Sequence, residues 1–185
     1  MTGKNHLICN TAGIAAAGVG CYILSKTPDI KPETVETVKN FLLFQNKIDM
    51  RIYLPLCFLM FVIGTYLPDC DQKNSKIGKF LHLPFEHRTW THTVWFALIF
   101  AIGGIWFPPL FLTALGILGH IFMDSLSKQG ICWFFPKYEK DNGSSFKKHH
   151  FLKLYSTGKM SEVIVTIFTV LICAGAIFLG LKFLI

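Results

Sequence analysis

Four histidines and three aspartates stand at positions from which they could meet around metal ions: His6, Asp69, Asp71, His87, His92, His120 and Asp124. His120 and Asp124 are the strongest pair. They lie at i and i+4 near the end of an apolar run, so a helix would place both on one face, close enough to share an ion. Such groups near membrane depth are costly unless paired, ligating or wetted. Asp69 and Asp71 flank Cys70 directly after Pro68. Carboxylates at i and i+2 can chelate or bridge a hard or borderline divalent ion, whereas alone they would simply open a solvated loop. His87 and His92 are five apart across the entry to another apolar run, with Thr91 placed to cap the helix that follows. His6 precedes the first apolar run and joins the set by co-location. The plainer reading of such a residue is a snorkelling tip.

Seven candidate ligands exceed what one tetrahedral zinc needs, so the set suits one or two divalent ions, zinc first, with manganese or magnesium as alternatives. The expected chemistry is hydrolysis by metal-activated water. Asp69 or Asp71 is expected to serve as general base. The planar donor fork of Arg88 suits an anionic, phosphate-like substrate group, with positive-inside anchoring as its plainer reading. His82 has no helical partner, and His149 and His150 sit in a lysine-rich loop, so all three stay outside the set.

The elements that must position these residues are membrane helices. Of 185 residues, 52% are hydrophobic and only 16% charged, with mean hydropathy +0.46. That composition argues against a soluble domain and for a helix bundle whose spans each consume about 20 apolar residues. The net charge of +7 is better explained by basic loops beside anionic lipid than by nucleic acid, because no basic helix or RNA-reading motif is present. Six cysteines, none at C-x-x-C spacing, indicate neither a thiolate zinc site nor disulfides.

The fold class expected is all-α: one membrane-embedded domain over residues 1–185, with about five spans at roughly 7–24, 52–67, 93–107, 110–126 and 163–185. The stretch 33–48 has the apolar spacing of an amphipathic helix, lying on the membrane or merely linking spans. Five spans put the N-terminus and the loops 68–92 and 127–160 on one side. That side carries twelve Lys and Arg, the other six, which places it in the cytoplasm. All seven candidate ligands then fall on the cytoplasmic face. Trp133, Phe134 and Phe135 either form an interfacial shelf there or anchor their loop.

At these residues the sequence resembles the YdjM-like family of inner-membrane proteins, described as predicted metal-dependent hydrolases. The matching pieces are Thr2-Gly3-Lys4-Asn5-His6; Gly64-Thr65-Tyr66-Leu67-Pro68-Asp69-Cys70-Asp71; His87-Arg88-Thr89-Trp90-Thr91-His92-Thr93; and Gly119-His120-Ile121-Phe122-Met123-Asp124, with Gly130 and Pro136 beyond. The family often has Gly where Thr89 stands and Ser where Thr93 stands. The resemblance implies a membrane-bound hydrolase and supplies no substrate. The function expected is therefore hydrolysis of a phosphoester in a lipid or other amphipathic substrate, with membrane lipid as environment and possible substrate. A metal or ion transporter, or an adaptor with a structural metal, is the alternative. Spans three and five lack ionisable residues in their central portions, which argues against a continuous transport path.

Overall fold

Six helices carry the chain in the computed structural model, which describes residues 1–26, 31–42, 49–81, 83–135, 140–141, 145–146, 148 and 151–182. They are α1 (Gly3–Leu24), α2 (Pro32–Leu42), α3 (Met50–Tyr66), α4 (Val94–Gly103), α5 (Pro109–Ser125) and α6 (Met160–Lys182). Beyond Tyr66, α3 tightens into a 3-10 turn over Leu67–Asp71. The 127–160 loop contains a two-stranded antiparallel hairpin, Lys140–Asp141 against Ser145–Phe146. His82, Pro136, His149, His150 and the 43–48 part of the expected amphipathic helix lie outside the described residues.

Among the described residues, Gly3–Leu24, Met50–Asp71 and Met160–Lys182 are long and apolar enough to cross a bilayer; α4 and α5 are shorter apolar helices. Large apolar side chains face outward, including Ile52, Phe58 and Leu59 on α3, Ile99 on α4 and Ile164, Phe168 and Leu171 on α6. So wide an apolar exterior is stable only against lipid.

Helix limits differ from the hydropathy reading for local reasons. α1 starts at Gly3 because Lys4, Asn5 and His6 are helical although polar. α4 stops at Gly103: a glycine pair, Gly103–Gly104, weakens the helix and Pro108–Pro109 forbids its continuation, so apolar Ile105 to Phe107 form a turn. Its N-cap is Thr93, whose hydroxyl accepts from Phe96 N at 3.2 Å. Thr91, the expected cap, instead donates to Asp71 Oδ2 at 2.7 Å. Of the two readings offered for Trp133, Phe134 and Phe135, loop anchoring fits the first and last: Phe135 is buried against Trp90, and Trp133 packs on the Ala97–Ile117–Ile121–Ile131 cluster, leaving Phe134 exposed.

The closest packing joins α3 to α5, through glycine. A Cβ at Gly64 would overlap the Thr113 carbonyl, and one at Gly116 would lie 2.5 Å from Phe61 O and 2.7 Å from Thr65 N. Small residues of this kind let membrane helices approach backbone to backbone. Asn10 of α1 spans the gap to both, donating to Thr65 Oγ1 at 3.2 Å and Gly116 O at 3.1 Å. α6 runs beside α1, with Val19 against Gly180. Glu162 at its head accepts from Thr2 N, Thr2 Oγ1, Asn5 Nδ2 and Gly158 N, tying α6 to the first turn of α1.

Gly116→Val should lower the thermal midpoint in detergent, by overpacking worth about 1–3 kcal/mol or more. Gly13→Ala, where nothing lies within 4 Å of a Cβ, should not lower it. Equal midpoints for the two variants would refute the α3–α5 packing.

Candidate metal centre

Every element end that carries a candidate ligand meets at one end of the bundle. His6 comes from the first turns of α1, Asp69 and Asp71 from the 3-10 turn after α3, His92 from just before α4, and His120 and Asp124 from the last turns of α5. His6, His92 and His120 are 0% exposed and Asp124 is 1%. His87 is half-buried at the edge.

Asp124 is the common point. Its Oδ1 lies 2.6 Å from the Met1 amino nitrogen and 3.2 Å from His6 Nε2. Its Oδ2 lies 2.8 Å from an Arg88 terminal nitrogen, 3.6 Å from His92 Nε2 and 3.9 Å from His120 Nε2. His120 Nε2 is also 3.6 Å from Asp69 Oδ1. The rings of His6 and His120 stack in parallel, centroids 3.7 Å apart.

Surrounding groups fix which imidazole nitrogen faces inward. His120 Nδ1 donates to Thr65 O at 2.7 Å, so its lone pair is on Nε2. His92 Nδ1 meets Thr91 Oγ1 at 3.0 Å, and that hydroxyl donates onward to Asp71, again leaving Nε2 free. His87 Nδ1 lies 2.7 Å from Asp71 Oδ1. This is the support that metal-bound histidines usually have. Asp71 also accepts from Arg88 N at 3.1 Å.

His6 Nδ1 and Nε2, His92 Nε2, His120 Nε2 and Arg88 Nε are buried without a hydrogen-bond partner among the described residues. The 3.2 Å approach of His6 Nε2 to Asp124 is not aligned as a hydrogen bond. An orphaned buried polar atom costs about 1–3 kcal/mol. Several collected at one carboxylate offer lone pairs that a divalent ion would satisfy, and nitrogen with carboxylate oxygen is a donor set for zinc and similar ions. Three overlapping groups have donor atoms within 4.8 Å of one another: His6, His120 and Asp124; Asp69, His92 and His120; Asp71, His87 and His92. The first and third share no residue, so two ions could be held at once.

All seven expected ligands therefore come together. Arg88 does too, but facing inward. It is 3% exposed, with one terminal nitrogen on Asp124 and the other donating to Ser127 Oγ at 2.9 Å and Gly130 O at 3.3 Å. The desolvated carboxylate of Asp124 claims the guanidinium. Arg88 holds φ +68, a left-handed conformation unfavourable for a side-chain-bearing residue. Its N–H on Asp71 and its carbonyl, accepting from Cys132 N at 3.2 Å, hold it there. Burial pushes the Cys132 thiol up to about 11, so it stays a thiol at neutral pH. Sequence reasoning missed Asn10, Thr65, Ser127 and Glu162. The one available signal was Glu162, an acid at the head of a very apolar helix.

The family described as YdjM inner membrane protein matches residues 1–183. The chain belongs to the YdjM family. A relative, the YvsG protein of Bacillus subtilis (strain 168), is 33% identical over a stretch covering 40% of this chain. This chain spans about half of that relative, 53% of its length. No solved structure matches. Membership in a family described as inner membrane proteins agrees with the lipid-facing exterior of the helices.

Elemental analysis tests the cage. Wild type should carry divalent metal, and His120→Ala and Asp124→Asn should each lose it. Asp71→Asn should weaken binding about 10–100-fold and recover at high metal. Protons compete with an ion for imidazole nitrogen, so retention should fall as pH is lowered. A metal-free wild type after metal-replete purification would refute the assignment.

Proposed function

We propose that this YdjM protein is a membrane-bound metal-dependent hydrolase, cleaving a phosphoester of a lipid or other amphipathic substrate at the cytoplasmic leaflet. The observation that carries this reading is a ring of orphaned buried imidazole nitrogens around Asp124, set beside a cavity that Asp69 lines. His6, His120 and Asp124 would hold an ion, with His92 Nε2 beside them at 3.6 Å from Asp124, zinc being the best match to the donors. A bound ion of this kind supplies Lewis acidity and lowers the pKa of water towards neutrality.

The chain's own groups divide the remaining work. Asp69 is the general base of this scheme. Its side chain is 13% exposed and reaches both the cavity and His120. Asp71, engaged by His87, Arg88 N and Thr91, positions the histidines. Arg88 holds Asp124 in place. The twelve-to-six division of basic residues supports the cytoplasmic side. An amphipathic substrate is supported by a second cavity of about 390 Å³, lined by apolar side chains of α1, α3, α5 and α6. It reaches Asn10 and Gly119, within a turn or so of His6 and His120.

The assay is release of headgroup or phosphate from a broad panel of phospholipids and polyprenyl phosphates by metal-restored protein. Wild type should be active, and Asp69→Asn should lower kcat by about 10²–10⁴ while keeping its metal. No release from any lipid by wild type would end the hydrolase reading. The full burial of His6, His92, His120 and Asp124 favours one competitor, a structural metal in an adaptor. On that reading chelation lowers the thermal midpoint steeply and no substrate turns over.

A further inference from the structure

We propose that the cavity between the first turn of α1 and the 67–77 segment is the anion subsite, in which Lys4 and Lys76 bind the substrate's phosphate. The proposal rests on the hydrolase reading for its meaning, although phosphate binding can be measured without it. The cavity holds about 490 Å³, and its walls include Lys4, Tyr66, Asp69, Gln72, Asn74 and Lys76. That volume falls within the range of small-molecule sites, about 300–1,000 Å³.

Three observations assign it. First, Arg88 is committed to Asp124, Ser127 and Gly130 inside the protein, so an arriving anion needs another cation. Second, Lys4 and Lys76 are exposed on opposite elements of this one cavity, and neither is ion-paired among the described residues. Lys76 Nζ lies 6.0 Å from the Tyr66 ring centroid, which keeps that lysine beside the opening. Third, Asp69 lines the same cavity while its Oδ1 stands 3.6 Å from His120 Nε2. A phosphate held by the lysines is thus brought beside the general base of the scheme and the edge of the ligand cage. The amides of Gln72 and Asn74 add neutral donors.

A lipid headgroup and a soluble phosphomonoester present the same phosphate, so the pocket's chemistry covers both. Calorimetric titration of purified wild type in maltoside micelles with inorganic phosphate should show binding. The Lys4→Gln/Lys76→Gln double variant should bind at least about tenfold more weakly with unchanged metal content. Lys26→Gln, which removes a lysine at the far end of α1, should match wild type. Competition separates the sources: displacement by phosphatidic acid in mixed micelles identifies a lipid headgroup, and displacement by glycerol phosphate alone a soluble ester. Either supports the pocket. Absent phosphate binding by wild type, or equal affinity in the double variant, overturns it. If lysine-dependent phosphate binding is found and the lipid panel yields no product, the pocket stands and the hydrolase reading falls. If lipids are cleaved with the same KM by the double variant, the pocket falls and the hydrolase reading stands.

Discussion

A carboxylate buried inside a membrane protein must be answered by positive charge or by a cation, and Asp124 is where this fold answers it. The desolvation cost of an isolated charge far exceeds what packing can return. Arg88 meets one oxygen at 2.8 Å, and three imidazoles stand within 3.9 Å of the pair of oxygens. Breaking that arrangement would leave an uncompensated charge, so four elements are obliged to end at the same depth. The left-handed backbone of Arg88 follows from the same demand, since the turn must aim a side chain at Asp124 while its N–H reaches Asp71.

The second layer is as ordered as the first. Thr65 O, Thr91 and Asp71 each hold an imidazole by Nδ1 or through a hydroxyl, and all three belong to segments flanking the cage. The close α3–α5 approach through Gly64 and Gly116 is what brings Thr65 O within 2.7 Å of His120. Helix packing and ligand orientation are therefore one problem: widening that interface by a methyl group would move a histidine.

The bundle, its lipid-facing character and the gathering of all seven candidate residues at one end were legible in the sequence, because apolar runs, the i, i+4 pair and alternating topology are local or additive signals. Other features were not. The end of α4 was misjudged because hydropathy continues through Ile105 to Phe107, although Gly103–Gly104 has already ended the helix. Arg88 read as a substrate contact because a lone arginine carries no sign of its partner, and that partner stands 36 positions away on another helix. Thr65 acts through a backbone carbonyl, which no residue type announces. Asn10 looked like an ordinary polar residue in a small-residue span until Gly116 O and Thr65 were placed beside it.

The bond from Asn10 to Gly116 O joins residues 106 apart. A chain made from its N-terminus delivers α1 to the bilayer long before α5 exists. Through that interval His6 has no carboxylate to face, and Asn10 has Thr65 of α3 without the Gly116 carbonyl. Emergence of α5 supplies both the carbonyl and the carboxylate in one step. Biogenesis thus has a late commitment point: α1 is long and apolar enough to enter the bilayer by itself, and its polar face is completed only when α5 arrives.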